Sequence, residues 1–325
     1  MQYSQQEKYE IIRLVEGSDL GVVRTLGQLK INKSTFYNWY SQYLQYGYDG
    51  LARKKVKRNT TWNRISDADR DKVVEIALEK PELSSRELAW HITDNYHYYI
   101  SESSVYRILK ANGLVTTPAF RVMSAADSFY DKTTAINQMW QTDFTYFKIL
   151  GWGWYYLSTI LDDFSRYIIH WELCSTMKAE DVVQTVEKAL QLTGLTQNNA
   201  PKLLSDNGSA YISNDLAQYL DDRHIRHIRG RPLHPQTQGK IERYHRSMKN
   251  IVKLDNYYSP DQLKMKMKEF VHYYNHQRYH ESLQNLTPAD VYFGRAQRQL
   301  NYRKIVKLKT LNDRKKINQK IQLNL

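Results

Sequence analysis

Residues 139–161 read MWQTDFTYFKILGWGWYYLSTIL. Two runs in this stretch, Met139 to Ile149 and Trp154 to Leu161, are rich in aromatic and β-branched residues, and Gly151-Trp152-Gly153 separates them. Runs of that kind on either side of a glycine-bearing turn predict a β-hairpin. Asp143 lies inside the first run with Trp140 and Phe144 close by. A carboxylate among such neighbours is costly to bury unless something pairs with it.

Downstream of the hairpin the pattern continues in a definite order. Tyr167 to Leu173 reads as a third strand. Ala179 to Leu192 reads as a helix, with Val182, Val186, Ala189 and Leu190 along one face. Lys202 to Ser205 reads as a short buried strand, Asn214 to Asp221 as a helix, and a long final helix begins near Gln238. Three antiparallel strands, helix, strand, helix and final helix predict an α/β fold of RNase H-like type. It is a mixed five-stranded sheet with helices, spanning about residues 135–295.

Upstream of the hairpin the chain reads as all-helical. Ile11, Ile12, Leu14 and Val15 stand near helical spacing, a second segment runs from Gly21 to Leu29, and Lys33 to Tyr40 opens a third helix. Two short helices joined by a tight turn form a helix-turn-helix pattern, assigned to residues 1–50. The pattern recurs over residues 65–125. There Asp67 to Glu79 is amphipathic, Ser84 and Glu87 stand at capping-box spacing, and Ser101 to Asn112 carries Val105, Ile108 and Leu109 on one face. A basic knot, Arg53-Lys54-Lys55-Val56-Lys57-Arg58, marks residues 51–64 as a linker, and residues 296–325 read as a basic tail. Two readers on one tether suit a long DNA site.

The net charge of +13 belongs to one end of the chain. Residues 225–325 hold 22 Lys and Arg against 7 Asp and Glu, and the rest holds 25 against 27. Such a field suits a polyanion. The single cysteine, Cys174, excludes an internal disulfide and a multi-cysteine zinc site and points to a reducing cytoplasm. No apolar run of 18 residues is present and residues 1–25 lack an apolar core, so neither a membrane span nor a secretory signal is expected.

Three carboxylates stand where phosphodiester chemistry could use them. Asp143 is in the first strand. Asp206 follows the short strand, in Ser205-Asp206-Asn207-Gly208. Glu242 lies on the final helix, off the stripe of Ile241, Tyr244, Met248, Ile251 and Val252 and beside Gln238, His245, Arg246 and Lys249. Two divalent ions about 3.5–4 Å apart can activate an attacking oxygen and stabilise a leaving one, and hard carboxylate oxygens suit Mg²⁺ or Mn²⁺. Asp162 and Asp163 are read as a turn with a local arginine pair. Trp152, Trp154, Tyr155 and Tyr156 are read as hairpin packing in preference to base stacking, and His224, His227 and His234 as surface or loop residues.

Four stretches carry a family resemblance: Trp140-Gln141-Thr142-Asp143, Leu161 to Arg166, Ser205 to Gly208, and His234 to Arg243. Together they resemble the integrase-core signatures of bacterial insertion-sequence transposases. Thirty-five residues separate Asp206 from Glu242, as in the D,D(35)E triad shared with retroviral integrases. The downstream segment from Tyr274 to Leu283, with Thr287-Pro288, resembles the stretch that closes such cores. The chain departs from retroviral integrases in lacking a His/Cys zinc domain, and Gln238 stands where the transposases more often have Asn.

The resemblance implies a transposase that binds the ends of a mobile element, cleaves them and joins the 3′-hydroxyl to target DNA. Asp143, Asp206 and Glu242 would be both the catalytic residues and the ligands of Mg²⁺ or Mn²⁺. Lys33, Ser34, Thr35 and Asn38 are expected to meet DNA from the first helix-turn-helix, and Lys240, Arg243, Arg246 and Lys249 to meet phosphates near the site. The expected partners are double-stranded DNA, both element ends and target, and further copies of the chain on that DNA. A bacterial, nucleoid-associated cytoplasmic protein follows. The alternatives are a domesticated DNA-binding regulator that no longer cuts, and a nuclease that only hydrolyses.

Overall fold

The computed structural model describes residues 3–52, 61–115, 133–230 and 238–323, with no side-chain detail beyond 320. Most of the expected linker, residues 116–125 of the second helical segment, and residues 231–237 lie outside the described residues. The chain divides into two compact units, Met1–Trp62 and Asn63–Leu325.

The first unit is three helices, α1 (Gln5–Glu16), α2 (Val22–Gln28) and α3 (Lys33–Gly50). Ser4 caps α1 in a full capping box with Glu7, so two orphan amides are satisfied at its start. The turn before α3 is tight: Lys30 takes φ +55, and the Ile31 amide donates to the Leu26 carbonyl. Ile11, Ile12, Val15, Leu26, Phe36 and Leu51 form the core. Gly47, at φ +62, breaks α3 near its end, a conformation costly for any residue with a Cβ.

The second unit begins with α4 (Asp67–Glu79), α5 (Ser85–Asn95) and α6 (Glu102–Ala111), each capped by a serine. A five-stranded sheet follows: β1 (Met139–Ile149), β2 (Gly153–Asp162), β3 (Ile168–Cys174), β4 (Lys202–Ser205) and β5 (His227–Arg229), in the order β3-β2-β1-β4-β5. β1, β2 and β3 are antiparallel neighbours, whereas β4 and β5 run parallel to β1. This is the RNase H-like arrangement that the sequence predicts.

Helices cover both faces, so alternate residues of β1 go to different cores. Trp140 joins α7 (Ala179–Thr193) and α8 (Asn214–Asp222) in one core. Phe147 and Ile149 join α9 (Gly239–Val252) and α10 (Pro260–His276) in the other. The helix α10 is 17 residues long and was not anticipated.

After α11 (Pro288–Tyr292), residues 296–323 depart from expectation. They form α12 (Ala296–Leu323), which packs on α5 instead of trailing as a tail. Its inward stripe is mostly polar. Arg303 grips both oxygens of Asp94, at 2.8 and 2.6 Å, and stacks over Trp90 with its carbon 4.5 Å from the ring centre. Arg303 also donates to the carbonyls of Gln284 and Asn285, two consecutive residues at positive φ. Arg314 donates to the Tyr98 hydroxyl, the Tyr99 carbonyl and the Asn63 side chain. A buried guanidinium is tolerable here because every direction it faces offers an acceptor.

Candidate active site

The parallel pairing of β1 with β4 sets Gln141 against Leu204. Two residues further along each strand stand Asp143 and Asp206, at the C-terminal end of the shorter strand, where loops leave a crevice. Asp143 is 22% exposed at its side chain. Its carboxylate accepts the Phe144 amide at 2.8 Å and meets His245 Nδ1 at 3.2 Å.

The Asp206 carboxylate accepts the Gly208 amide at 2.9 Å. A Cβ at Gly208 would stand 3.0 Å from Asp206 Oδ1, so a larger residue there would press on that carboxylate. Burial holds the Asp206 carboxyl above its ordinary range; the Gly208 amide opposes that shift and the charge of Asp143 adds to it. The charge of Asp143 thus reaches the Asp206 carboxyl.

Glu242 is exposed in the first turn of α9. Ile241, Tyr244, Met248 and Val252 seat that helix on the sheet. His245, three residues on from Glu242 and on an adjoining face, is the residue that touches Asp143. His245 is buried and Ile251 exposed, both contrary to the sequence reading of this helix.

The start of α9 is pinned by a chain of buried polar groups. Gln141 accepts the Ile241 amide at 3.1 Å through its side-chain oxygen and donates to Asp163 at 2.7 Å through its nitrogen. Lys240 Nζ donates to the Asp163 side chain at 2.5 Å and to its carbonyl at 2.9 Å. Gln141 and Asp163 are almost wholly buried. Lys240, expected at a DNA phosphate, thus instead neutralises a buried carboxylate and ties the helix bearing Glu242 to the strand bearing Asp143. A lysine two residues before a glutamate on a basic helix reads as a DNA contact because its partner lies 77 residues away.

Asp162 and Asp163 lie where β2 gives way to a turn. Asp162 accepts from the Asn137 amide and from the amide and hydroxyl of Ser165. Burial raises its carboxyl, and those donors oppose the rise. His227 Nε2 lies 2.8 Å from the Ser205 hydroxyl, and His234 lies outside the described residues.

Arg243 and Arg246 are exposed on α9. The Lys249 ammonium stands 5.3 Å from the centre of the Tyr146 ring. On α3, Lys33, Ser34 and Asn38 are exposed and Thr35 partly so, whereas Phe36 is buried. A cleft of about 520 Å³ opens on the second helical region, lined by Ser85, Ser101, Glu102, Ser103, Tyr106 and Arg107. The expected hairpin packing holds only in part: Tyr155 packs on the core, but Trp152 and Trp154 are exposed.

Among the described residues, no group of three His, Cys, Asp or Glu side chains is drawn together as a metal cluster. The donor chemistry nevertheless fits a hard divalent cation. The Asp206 carboxyl, raised by burial and by the charge of Asp143, would be relieved by one, and Glu242 is exposed in the first turn of α9.

Residues 133–235 match the family model described as an integrase core domain, and residues 223–288 match a second model of the same description. The chain contains an integrase core. A homeodomain-like domain model matches residues 35–109. The transposase for insertion sequence element IS629 of Shigella sonnei is 30% identical over 121 residues, covering 35% of this chain and 38% of that protein. The Gag-Pro-Pol polyprotein of Mason-Pfizer monkey virus is 28% identical over 116 residues, 36% of this chain. The chain spans about 6% of that polyprotein's length. The magnesium complex of the HTLV-2 integrase catalytic core domain, in its dimeric form, is 20% identical with a TM-score of 0.38. It covers 49% of this chain and 97% of that one. No described helix is long and apolar enough to cross a membrane.

Proposed function

We propose that this chain is a DNA transposase. It binds the ends of a mobile element, cuts them, and joins the freed 3′-hydroxyl to a target phosphodiester. The observation that carries the reading is the placement of Asp143 and Asp206 two residues past paired positions of adjacent parallel strands, with Glu242 on a helix pinned to the same strand. The integrase core match and the similarity to an insertion-sequence transposase support it.

Asp143, Asp206 and Glu242 would hold Mg²⁺ or Mn²⁺, which supplies charge neutralisation at the phosphate and activation of the attacking oxygen. The residues around them have separate tasks. His245 orients the Asp143 carboxylate. Gln141, Asp163 and Lys240 fix the entry of α9, and so the direction of Glu242. Arg243, Arg246 and Lys249 face the DNA backbone. Lys33, Ser34, Thr35 and Asn38 contact the element end from α3. Double-stranded DNA is the partner, several copies assemble on it, and the cytoplasm is the compartment.

Oligonucleotides carrying the inverted repeats that flank the gene test this directly. With Mg²⁺ or Mn²⁺ the purified chain cleaves them and joins them to plasmid. Asp143→Asn, Asp206→Asn and Glu242→Gln each abolish both steps and leave end binding within a few-fold of the parent. Joining in excess chelator, or by any of the three variants at the parent rate, removes the assignment. A regulator binds without cutting, and a nuclease cuts without joining.

A further inference from the structure

The sheet edge beside the carboxylates carries an exposed aromatic group that the chemistry above does not use. β4 pairs with β1 only as far as Gln141, so the longer strand continues past it through Asp143 toward Ile149. On that continuation Tyr146 is 51% exposed, and Trp154, on the neighbouring strand, is 52% exposed. The register sets Tyr146 against Tyr156 and Lys148 against Trp154, so Tyr146 and Trp154 are diagonal neighbours on one face. Their rings meet edge to face, with centroids 5.4 Å apart and planes at 77°. Such a contact fixes both rings while leaving a face of one open. Gly151 and Gly153, at φ +78 and +90, hold the hairpin tip beyond them, with Trp152 also exposed.

The surroundings indicate what would cover that face. Lys249 reaches from α9 to the Tyr146 ring, and Lys148 is exposed opposite Trp154. Burial lowers the Lys249 pKa, with the charge of Lys253 adding to the fall and that of Asp143 opposing it. Cations flanking open rings suit a polyanion with flat apolar groups better than they suit another apolar protein face. Tyr146 stands three residues on from Asp143 and on the alternate face of β1, about 10 Å along the strand at 3.4 Å per residue. That reach equals about three base steps at 3.4 Å each. Paired bases inside a duplex have their faces covered by neighbours, so only an unpaired base can offer one.

We propose that Tyr146, Trp154 and Lys249 form a stacking platform for a single unpaired base of the DNA, within about three nucleotides of the phosphate that the carboxylates address. The ring pair takes the base face and Lys249 the adjoining phosphate. Any base serves, because each has a π-face, so the platform senses that a base is unpaired and not which base it is. Its task would be to hold the end of the duplex open beside the site. This inference rests on the transposase reading for the identity of its ligand.

The test uses the full chain and end oligonucleotides with 2-aminopurine placed at each of the last six positions of either strand, in chelator so that nothing is cut. Fluorescence should change on binding at one position within three nucleotides of the cleavage point. Trp154→Ala and Tyr146→Ala should each abolish that change and weaken end binding roughly 5- to 150-fold, the span of one base stack. Trp154→Phe should restore both, and ends with that base pair already mismatched should lose less affinity in Trp154→Ala. Parent-like binding and fluorescence in both alanine variants would overturn the platform. So would a DNA-free change in oligomeric state on Trp154→Ala, which would make the patch an interface between copies. A chain that gives the fluorescence signal but neither cuts nor joins once metal is added keeps the platform and loses the transposase reading. A chain that joins DNA while both alanine variants bind normally does the reverse.

Discussion

Two helical regions of this molecule have nearly the same local grammar and different attachments. The first, α1 to α3, closes on its own core around Ile12, Leu26 and Phe36, and forms a compact unit by itself. The second, α4 to α6, has an equivalent core around Leu88, Ile92 and Val105, yet belongs to the same unit as the integrase core. The difference is α12. Arg303 and Arg314 bind that helix to Asp94, Tyr98 and Tyr99, and Arg303 also holds the carbonyls of Gln284 and Asn285. A helix-turn-helix pattern therefore specifies a fold but not what the fold is fastened to.

The attachment should break before the local folds do. Arg303→Ala leaves the part-buried Asp94 carboxylate without its bidentate cation, and removal of one partner of a buried pair costs about 3–5 kcal/mol. Denaturant unfolding of the full chain should show the transition of residues 63–323 moving down by that amount, while a probe at Trp39 in the first unit reports an unchanged midpoint. Equal shifts in both would show that the two regions are fastened alike.

This asymmetry was invisible in the sequence for a physical reason. The pairing of Arg303 with Asp94 spans 209 residues, and nothing in a window of 15 reveals it. Lys240 with Asp163 and His245 with Asp143 escaped for the same reason. Strands and helices with their own periodicity were legible: β1, β4, α7 and α8 fall within a residue of expectation. Asp143, Asp206 and Glu242 stand out in the sequence because each is embedded in a recognisable word. The three-residue strand β5 has too little pattern to stand out. On α12, Arg303, Thr310, Arg314 and Asn318 occupy the buried stripe where an apolar face would be sought, so the helix reads as a basic tail.

The next effect belongs to the first unit. Asn38 is exposed on α3 and Lys33 lies at its start. Asn38→Ala should cost about 1–3 kcal/mol on the preferred end sequence and relax choice at one base position. Binding-site selection checks it. An unchanged preference would move sequence reading to α6, and with it to the region fastened to the core.

A smaller effect sharpens the fastening itself. His280 sits where the core meets the second helical region, packed edge-on against Tyr274. Burial lowers its pKa to about 3, and the charges of Arg278, Arg166 and Arg86 add to the fall. The folded state thus keeps this ring neutral, whereas the unfolded chain takes up a proton below its ordinary value of 6.5. Stability from this group is complete above that value and is lost as pH falls from 6.5 toward 3, by at most about 1.4 kcal/mol per pH unit. Midpoints measured at pH 7 and pH 5 should converge in His280→Gln relative to the parent. An equal pH slope in both proteins would remove His280 from the account.

The smallest effect is Lys33→Ala, which should weaken binding to all DNA sequences alike and lower the salt slope by about one. Titrations at several salt concentrations read it. A change confined to one sequence would make Lys33 a base reader and bring it level with Asn38.

The clasp between Asp94 and Arg303 also imposes an order in time. During synthesis at about 5–20 residues per second, the surface of α5 around Asp94 emerges roughly ten to forty seconds before the helix that covers it. Throughout that interval Trp90, Tyr98 and Tyr99 lack their cationic cover, and the nascent chain must hold the place open while the entire sheet is made. Among the described helices, α12 is thus the latest-made part of a region that begins at residue 63.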